Sequence, residues 1–168
     1  MKLITKIVTM MLLLSTTILT ASEDFKLLND MKFAQKQQAL LVKMSQELKA
    51  TPLNQEIFKA LQAEFKNILT GLSYGDAKMN LNGATLTEIS IKLSEVQALW
   101  KKEEALLNAT DNKQAIDGVK RVMVKMDEAV TLYTKSYTRY QQNLKFSSIV
   151  NRYMTSQTEP MLAFNIVF

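Results

Sequence analysis

Side chains able to do chemistry are limited in kind here, because the chain has neither cysteine nor histidine. That removes thiolate nucleophiles, imidazole bases and ligands, disulfides and the usual zinc sites. Carboxylates, lysines, glutamines and tyrosines remain. The carboxylate pairs Glu103–Glu104 and Asp127–Glu128 are sequence neighbours. On a helix such neighbours diverge by roughly 100°, so neither pair converges on one metal ion or one reacting atom. The Glu-x-x-His pattern of di-iron bundles needs a histidine and is excluded. No Gly-rich phosphate loop and no Gly-x-Ser-x-Gly elbow occurs, and both are required by the reactions they serve. The expectation is a protein that is not an enzyme and carries no metal or cofactor.

Tyr133, Tyr137 and Tyr140 are spaced by 4 and 3 residues, which puts them on one helix face. Such a face either lines a small-molecule pocket or packs in a core or interface with its hydroxyls reaching the edge. The same two readings apply to Trp100.

Helices must position these groups. Four glycines and two prolines are too few for a turn-rich β fold. Hydrophobic residues at 47% and charged residues at 22% are near globular averages. The apolar spacing predicts four helices. The first covers about Glu23–Lys49, with a stripe Leu27, Met31, Ala34, Gln38, Leu41, Ser45 and Leu48. The second opens at Thr51-Pro52, presents Ile57, Leu61, Phe65, Ile68 and Leu72, and ends at Gly71 or Gly75. The third begins at the capping box Thr85-Leu-Thr-Glu88 and carries Leu86, Ile89, Leu93, Val96, Trp100 and Leu107, with Glu103 in a polar gap. The fourth starts near Asp111–Gln114 and runs from about Lys113 past Ser148. Its heptad stripe joins Ile116, Val119, Met123, Met126, Val130, Tyr133, Tyr137, Tyr140 and Leu144. Short joints favour an all-α, antiparallel up-down-up-down four-helix bundle. Pro160 is expected to close the last helix. Leu162, Phe164, Ile166 and Phe168 then alternate as a short extended tail over residues 156–168.

The N-terminus reads as an export signal. Met1–Lys6 is basic, Ile7–Leu19 is largely apolar, and Leu19-Thr20-Ala21 resembles a cleavage site. Thirteen residues are fewer than the roughly 20 that span a bilayer. The expectation is a periplasmic domain over residues 22–155, cleaved after Ala21. Losing Lys2 and Lys6 lowers the net charge from +5 to +3. The charges are scattered rather than clustered, which argues against a nucleic-acid partner.

Within the first helix, Ala34-Gln-Lys-Gln-Gln-Ala-Leu-Leu-Val-Lys-Met44 resembles Ala-Gly-Arg-Gln-Arg-Met-Leu-Ser-Gln-Arg-Met. That motif marks the NarX-like and PilJ-like N-terminal sensor domains of nitrate-sensing histidine kinases and type IV pilus methyl-accepting chemotaxis transducers. Ala34, Gln37, Leu40 and Met44 are identical, and Lys36 and Lys43 keep the charge. Phe65 and Leu69 before Gly71, then Val96 and Trp100, are also similar. The resemblance implies a periplasmic bundle that dimerises through helix one and holds a small anion there. It thereby implies Lys36, Gln37, Gln38 and Lys43 as candidate ligand residues. Gln38 stands where the family has its principal anion-binding arginine, and Gln35 where it has glycine. Glutamine offers neutral donors, whereas arginine offers a permanent charge and a planar fork. A register-setting polar residue in a helical seam is the other reading of Gln38. Met31, Ala34, Leu41, Tyr133, Tyr137 and Tyr140 are the candidate dimer or core seam. Family members usually sit between two membrane spans and carry a signalling module, so this chain is expected as a free sensor-like module. It would act through an envelope receptor or kinase, or as a homodimer. The alternative is a structural or adaptor protein of the cell envelope, binding through its helical face or apolar tail.

Overall fold

In the computed structural model, backbone is described for residues 2–107 and 112–163, and side chains for residues 25–105, 107 and 112–152. Four helices follow one another: α1 (Lys2–Glu47), α2 (Gln55–Tyr74), α3 (Thr87–Leu107) and α4 (Asn112–Ala163). Cross-helix contacts fix their directions. Asn29 reaches the α2–α3 connection while Gln37 reaches Phe65, so α1 and α2 are antiparallel. Glu103 pairs with Arg121 and Lys92 with Glu128, which makes α3 and α4 antiparallel. The domain is an up-down-up-down four-helix bundle in which α4 packs against both α1 and α3.

The buried stripe on α1 is Asp30, Ala34, Gln37, Leu41, Met44 and Leu48, at steps of 4, 3, 4, 3 and 4. Ala34, Leu41 and Leu48 lie where the sequence places them. The intervening positions fall one residue earlier, so Gln37 and Met44 are buried while Gln38 and Ser45 lie at the edge. On α4 the innermost residues are Ala115, Val119, Val122, Met126, Ala129 and Tyr133, again one residue earlier between shared positions. Val130 is also buried, and Ile116 and Met123 pack against the core. α3 buries Ile89, Leu93, Val96, Trp100, Glu103 and Leu107. Phe65 of α2 meets Trp100 of α3 with ring centroids 4.5 Å apart.

Several boundaries differ from the sequence expectation. α1 begins at Lys2 rather than Glu23. The cap of α2 is Asn54, whose side chain accepts the Ile57 N–H at 3.1 Å, rather than Thr51. Ile57, expected on the apolar face of this helix, is exposed. α3 begins at Thr87, so Leu86 precedes the helix and is also exposed. α4 continues through Pro160 to Ala163, beyond the proline expected to close it. Gly75 does end α2, its N–H donating to Gly71 O at 2.8 Å. The side chains of the leader and its cleavage site, Asp111, and residues 164–168 of the tail lie outside the described residues. Among the described residues, no helix is long and apolar enough to cross a membrane.

The α2–α3 connection is a built element that closes one end of the bundle. Asp76 and Leu81 exchange two backbone hydrogen bonds of 2.9 Å, and Asp76 Oδ1 accepts from the Lys78 and Met79 N–H groups. Leu81 plugs the core beneath it. Gly83 has φ +79, and a Cβ there would lie 2.8 Å from the Gly75 nitrogen, so the tight return needs glycine. Asn29 Nδ2 donates to Met79 O at 3.0 Å and Asn80 O at 2.9 Å, tying this connection to α1.

Candidate ligand-binding site

The residues singled out on α1 do not converge. The Lys36 ammonium pairs with Glu64 of α2 at 2.6 Å and lies over the Phe33 ring. Gln37 is buried, and its Nε2 donates to the Phe65 carbonyl oxygen at 2.9 Å, clamping α1 to α2. Gln38 faces the other way and donates through Nε2 to Asp127 Oδ1 of α4. Lys43 is exposed. Four consecutive or nearby residues thus serve three different faces of one helix, as roughly 100° per residue requires.

The candidate seam residues sit inside the bundle. Ala34, Leu41 and Tyr133 are buried in its core, and Met31 packs against them. Tyr137 and Tyr140 are half-buried, and Tyr140 lines a pocket.

That pocket, of about 510 Å³, opens between α1, the end of the α2–α3 connection and α4. Lys26, Leu27 and Asp30 come from α1, while Asn82, Thr85 and Leu86 come from the connection. Its volume is within the range of small-molecule sites, about 300–1,000 Å³. Asp30 is the unusual member. Only 5% of it is exposed, and its Oδ1 has no hydrogen-bond partner. Burial pushes its carboxyl up to about 6, against a backbone hydrogen bond from Asn82 and the nearby charge of Lys26, which pull the other way. The Tyr133 hydroxyl, one helix away, is likewise buried without a partner. Burial and the charge on Asp30 push that phenol well above its usual range. Two buried, unsatisfied oxygens near one another are costly, because each gave up water without a replacement.

A second buried acid is handled differently. Glu103 is only 1% exposed, yet both its oxygens are taken by Arg121, at 2.9 Å to Nε and 2.7 Å to Nη2. The guanidinium hydrogen bonds hold its carboxyl below the usual range. Gly118 of α4 makes room, since a Cβ there would sit 2.7 Å from Glu103 Oε2. Among the described residues, no group of three or more acidic side chains is arranged to hold a metal ion.

Of these groups only Glu103 stands out in the sequence expectation, as the residue filling a polar gap, and Asp30, Lys26 and Asn82 are missed there. The signal for Asp30 was its position seven residues before Gln37 and fourteen before Met44, on the stripe that packs inward.

No protein family model matches the chain, and no curated protein matches it. Among solved structures, the fold is similar to the ligand-binding domain of the P. aeruginosa nitrate receptor McpN. The TM-score is 0.58 at 19% sequence identity, covering 64% of this chain and 95% of that domain. The shared property is the fold, a helical bundle.

Proposed function

We propose that the chain is a sensor-like, non-catalytic ligand-binding module of the periplasm that signals through a partner protein. One observation carries this reading: a pocket of small-molecule size whose lining includes the buried acid Asp30. The likeness to a receptor's ligand-binding domain supports the same role. The basic, apolar and small-residue succession of residues 1–21 supports export.

Nitrate is not the ligand this bundle favours. Gln38, where the resembling family has its principal arginine, donates to the Asp127 carboxylate. A negative charge beside that position repels an anion, and glutamine brings no charge of its own to offset it.

Ligand binding to the folded state raises thermal stability by mass action. A melting screen of anions, amines, amino acids and small organic acids should therefore find one class that raises Tm by several degrees. Flat melting temperatures across the whole panel, at millimolar ligand, would overturn the reading.

The adaptor role is favoured by a different feature. Phe146, Ile149 and Val150 of α4 are exposed, a cluster of apolar side chains beyond the core contacts. Charging that surface with Phe146→Glu and Ile149→Glu should release an envelope partner from pull-down if this reading holds. It should leave ligand-induced melting shifts intact if the sensor reading holds.

A further inference from the structure

The second half of α4 breaks the mixed charge pattern of the rest of the chain. No acidic residue occurs from Ala129 to Thr158, while Lys135, Arg139, Lys145 and Arg152 fall within that stretch. All four are exposed. Among the described residues, the ion pairs of α4 involve Asp117, Lys120, Arg121, Lys125 and Glu128, all of which precede it.

Helix geometry puts these cations beside apolar side chains. Lys135, Arg139, Gln142, Phe146 and Ile149 follow one another at steps of 4, 3, 4 and 3, which makes a single face. Lys135 lies two residues past the buried Tyr133, roughly 200° around the helix, so that face points away from the core. Phe146 is 69% exposed, Ile149 65% and Val150 40%. Every residue from Lys145 to Arg152 is exposed, so no side of this part of α4 is packed into the core. Lys145 and Arg152, seven residues apart, flank the apolar side chains and lay their methylene stems along them.

We propose that this outward face of α4, from Lys135 to Arg152, docks the protein on an anionic phospholipid bilayer. Such a surface is apolar within and negative at its headgroups, so it takes Phe146, Ile149 and Val150 below and the four cations above. Each cation near it strengthens attachment roughly fivefold. A protein partner also needs an apolar centre, but it does not call for one sign of charge through roughly eight helical turns.

Flotation of the full chain with phosphatidylcholine vesicles and with mixed phosphatidylcholine–phosphatidylglycerol vesicles tests this. Residues 1–21 are themselves basic and apolar, so the readouts are ones that this leader cannot supply. The chain should bind the anionic vesicles, and added salt should weaken the binding. Lys145→Glu with Arg152→Glu should lower affinity at least tenfold. The same reversal on α2, Lys59→Glu, should leave it unchanged, and all variants should melt as wild type does. In Phe146→Trp, the added tryptophan emission should shift to the blue on anionic vesicles and be quenched by brominated acyl chains. Equal affinity of wild type and the double reversal would overturn the proposal. So would a tryptophan at position 146 that stays in water on vesicles that the chain binds. Capture of an envelope protein through Phe146 and Ile149, with no vesicle response at position 146, would overturn it in favour of the adaptor surface.

Discussion

Glu103 and Asp30 are both acids buried in the same small bundle, and the protein treats them in opposite ways. Glu103 has a guanidinium fork on both oxygens and a glycine cut away to make room for it. Its carboxyl is easier to ionise in place than in water. Asp30 keeps a bare oxygen, a hydroxyl nearby that is equally bare, and a carboxyl that is harder to ionise. A buried charge with its partners supplied joins α3 to α4. A buried charge without them is a cost carried by the free protein, and such costs are characteristic of sites that wait for a ligand. On the proposed reading, the difference separates a structural buried acid from one that lines the candidate pocket.

The comparison can be broken most strongly at Glu103. Glu103→Ala should destabilise the fold by about 2–4 kcal/mol in denaturant unfolding, since it removes two charge-assisted hydrogen bonds and opens a cavity between α3 and α4. Asp30→Asn should do the reverse, stabilising the ligand-free protein at pH 7 by about 1–3 kcal/mol. The pH dependence carries the same contrast. Between the usual carboxylate range and about 6, native Asp30 holds a proton that the unfolded chain has released. Its contribution is therefore favourable below that window and is lost as pH rises through about 6. Wild type should gain stability on acidification from pH 7 toward pH 5, and Asp30→Asn should not show that gain. Glu103 acts oppositely, its contribution being lost only as pH falls below the usual glutamate range.

Smaller effects sharpen the picture. Gly118→Ala should cost about 1 kcal/mol in wild type, where Arg121 holds Glu103 against the new methyl group. In the Glu103→Ala background the same change should become stabilising by about 0.5–1 kcal/mol, because only helix propensity then remains. Tyr133→Phe removes an unsatisfied hydroxyl and should stabilise by up to about 1 kcal/mol. Gln38→Ala, at an edge position, should change stability by less than about 0.5 kcal/mol.

Much of the architecture was legible because it follows from periodicity. Sustained 3–4 spacing, scarce glycine and short joints leave few alternatives to an antiparallel bundle. The register was less legible. On α1, two stripes share Ala34, Leu41 and Leu48 and differ by one residue between them. Met44 against Ser45 favours the observed stripe, yet Met31 against Asp30 favours the other. The helix starts were displaced too: α2 is capped by Asn54 rather than Thr51, and α3 begins at Thr87, two residues after the Thr85 that the capping box suggests. The pocket was not legible at all. It brings Asp30 beside Asn82 and Tyr140, and that adjacency depends on how the α2–α3 connection folds back through Gly83 onto α1. The motif on α1 drew attention to Lys36–Lys43, whereas the unsatisfied acid lies two turns earlier.

Site-resolved NMR titration of the Asp30 side-chain carboxyl, free and with saturating ligand, tests the central claim most directly. The account predicts a midpoint near 6 in the free protein, displaced once a ligand occupies the pocket. An ordinary midpoint near 4 in the free protein, unchanged by every ligand that shifts melting, would contradict it.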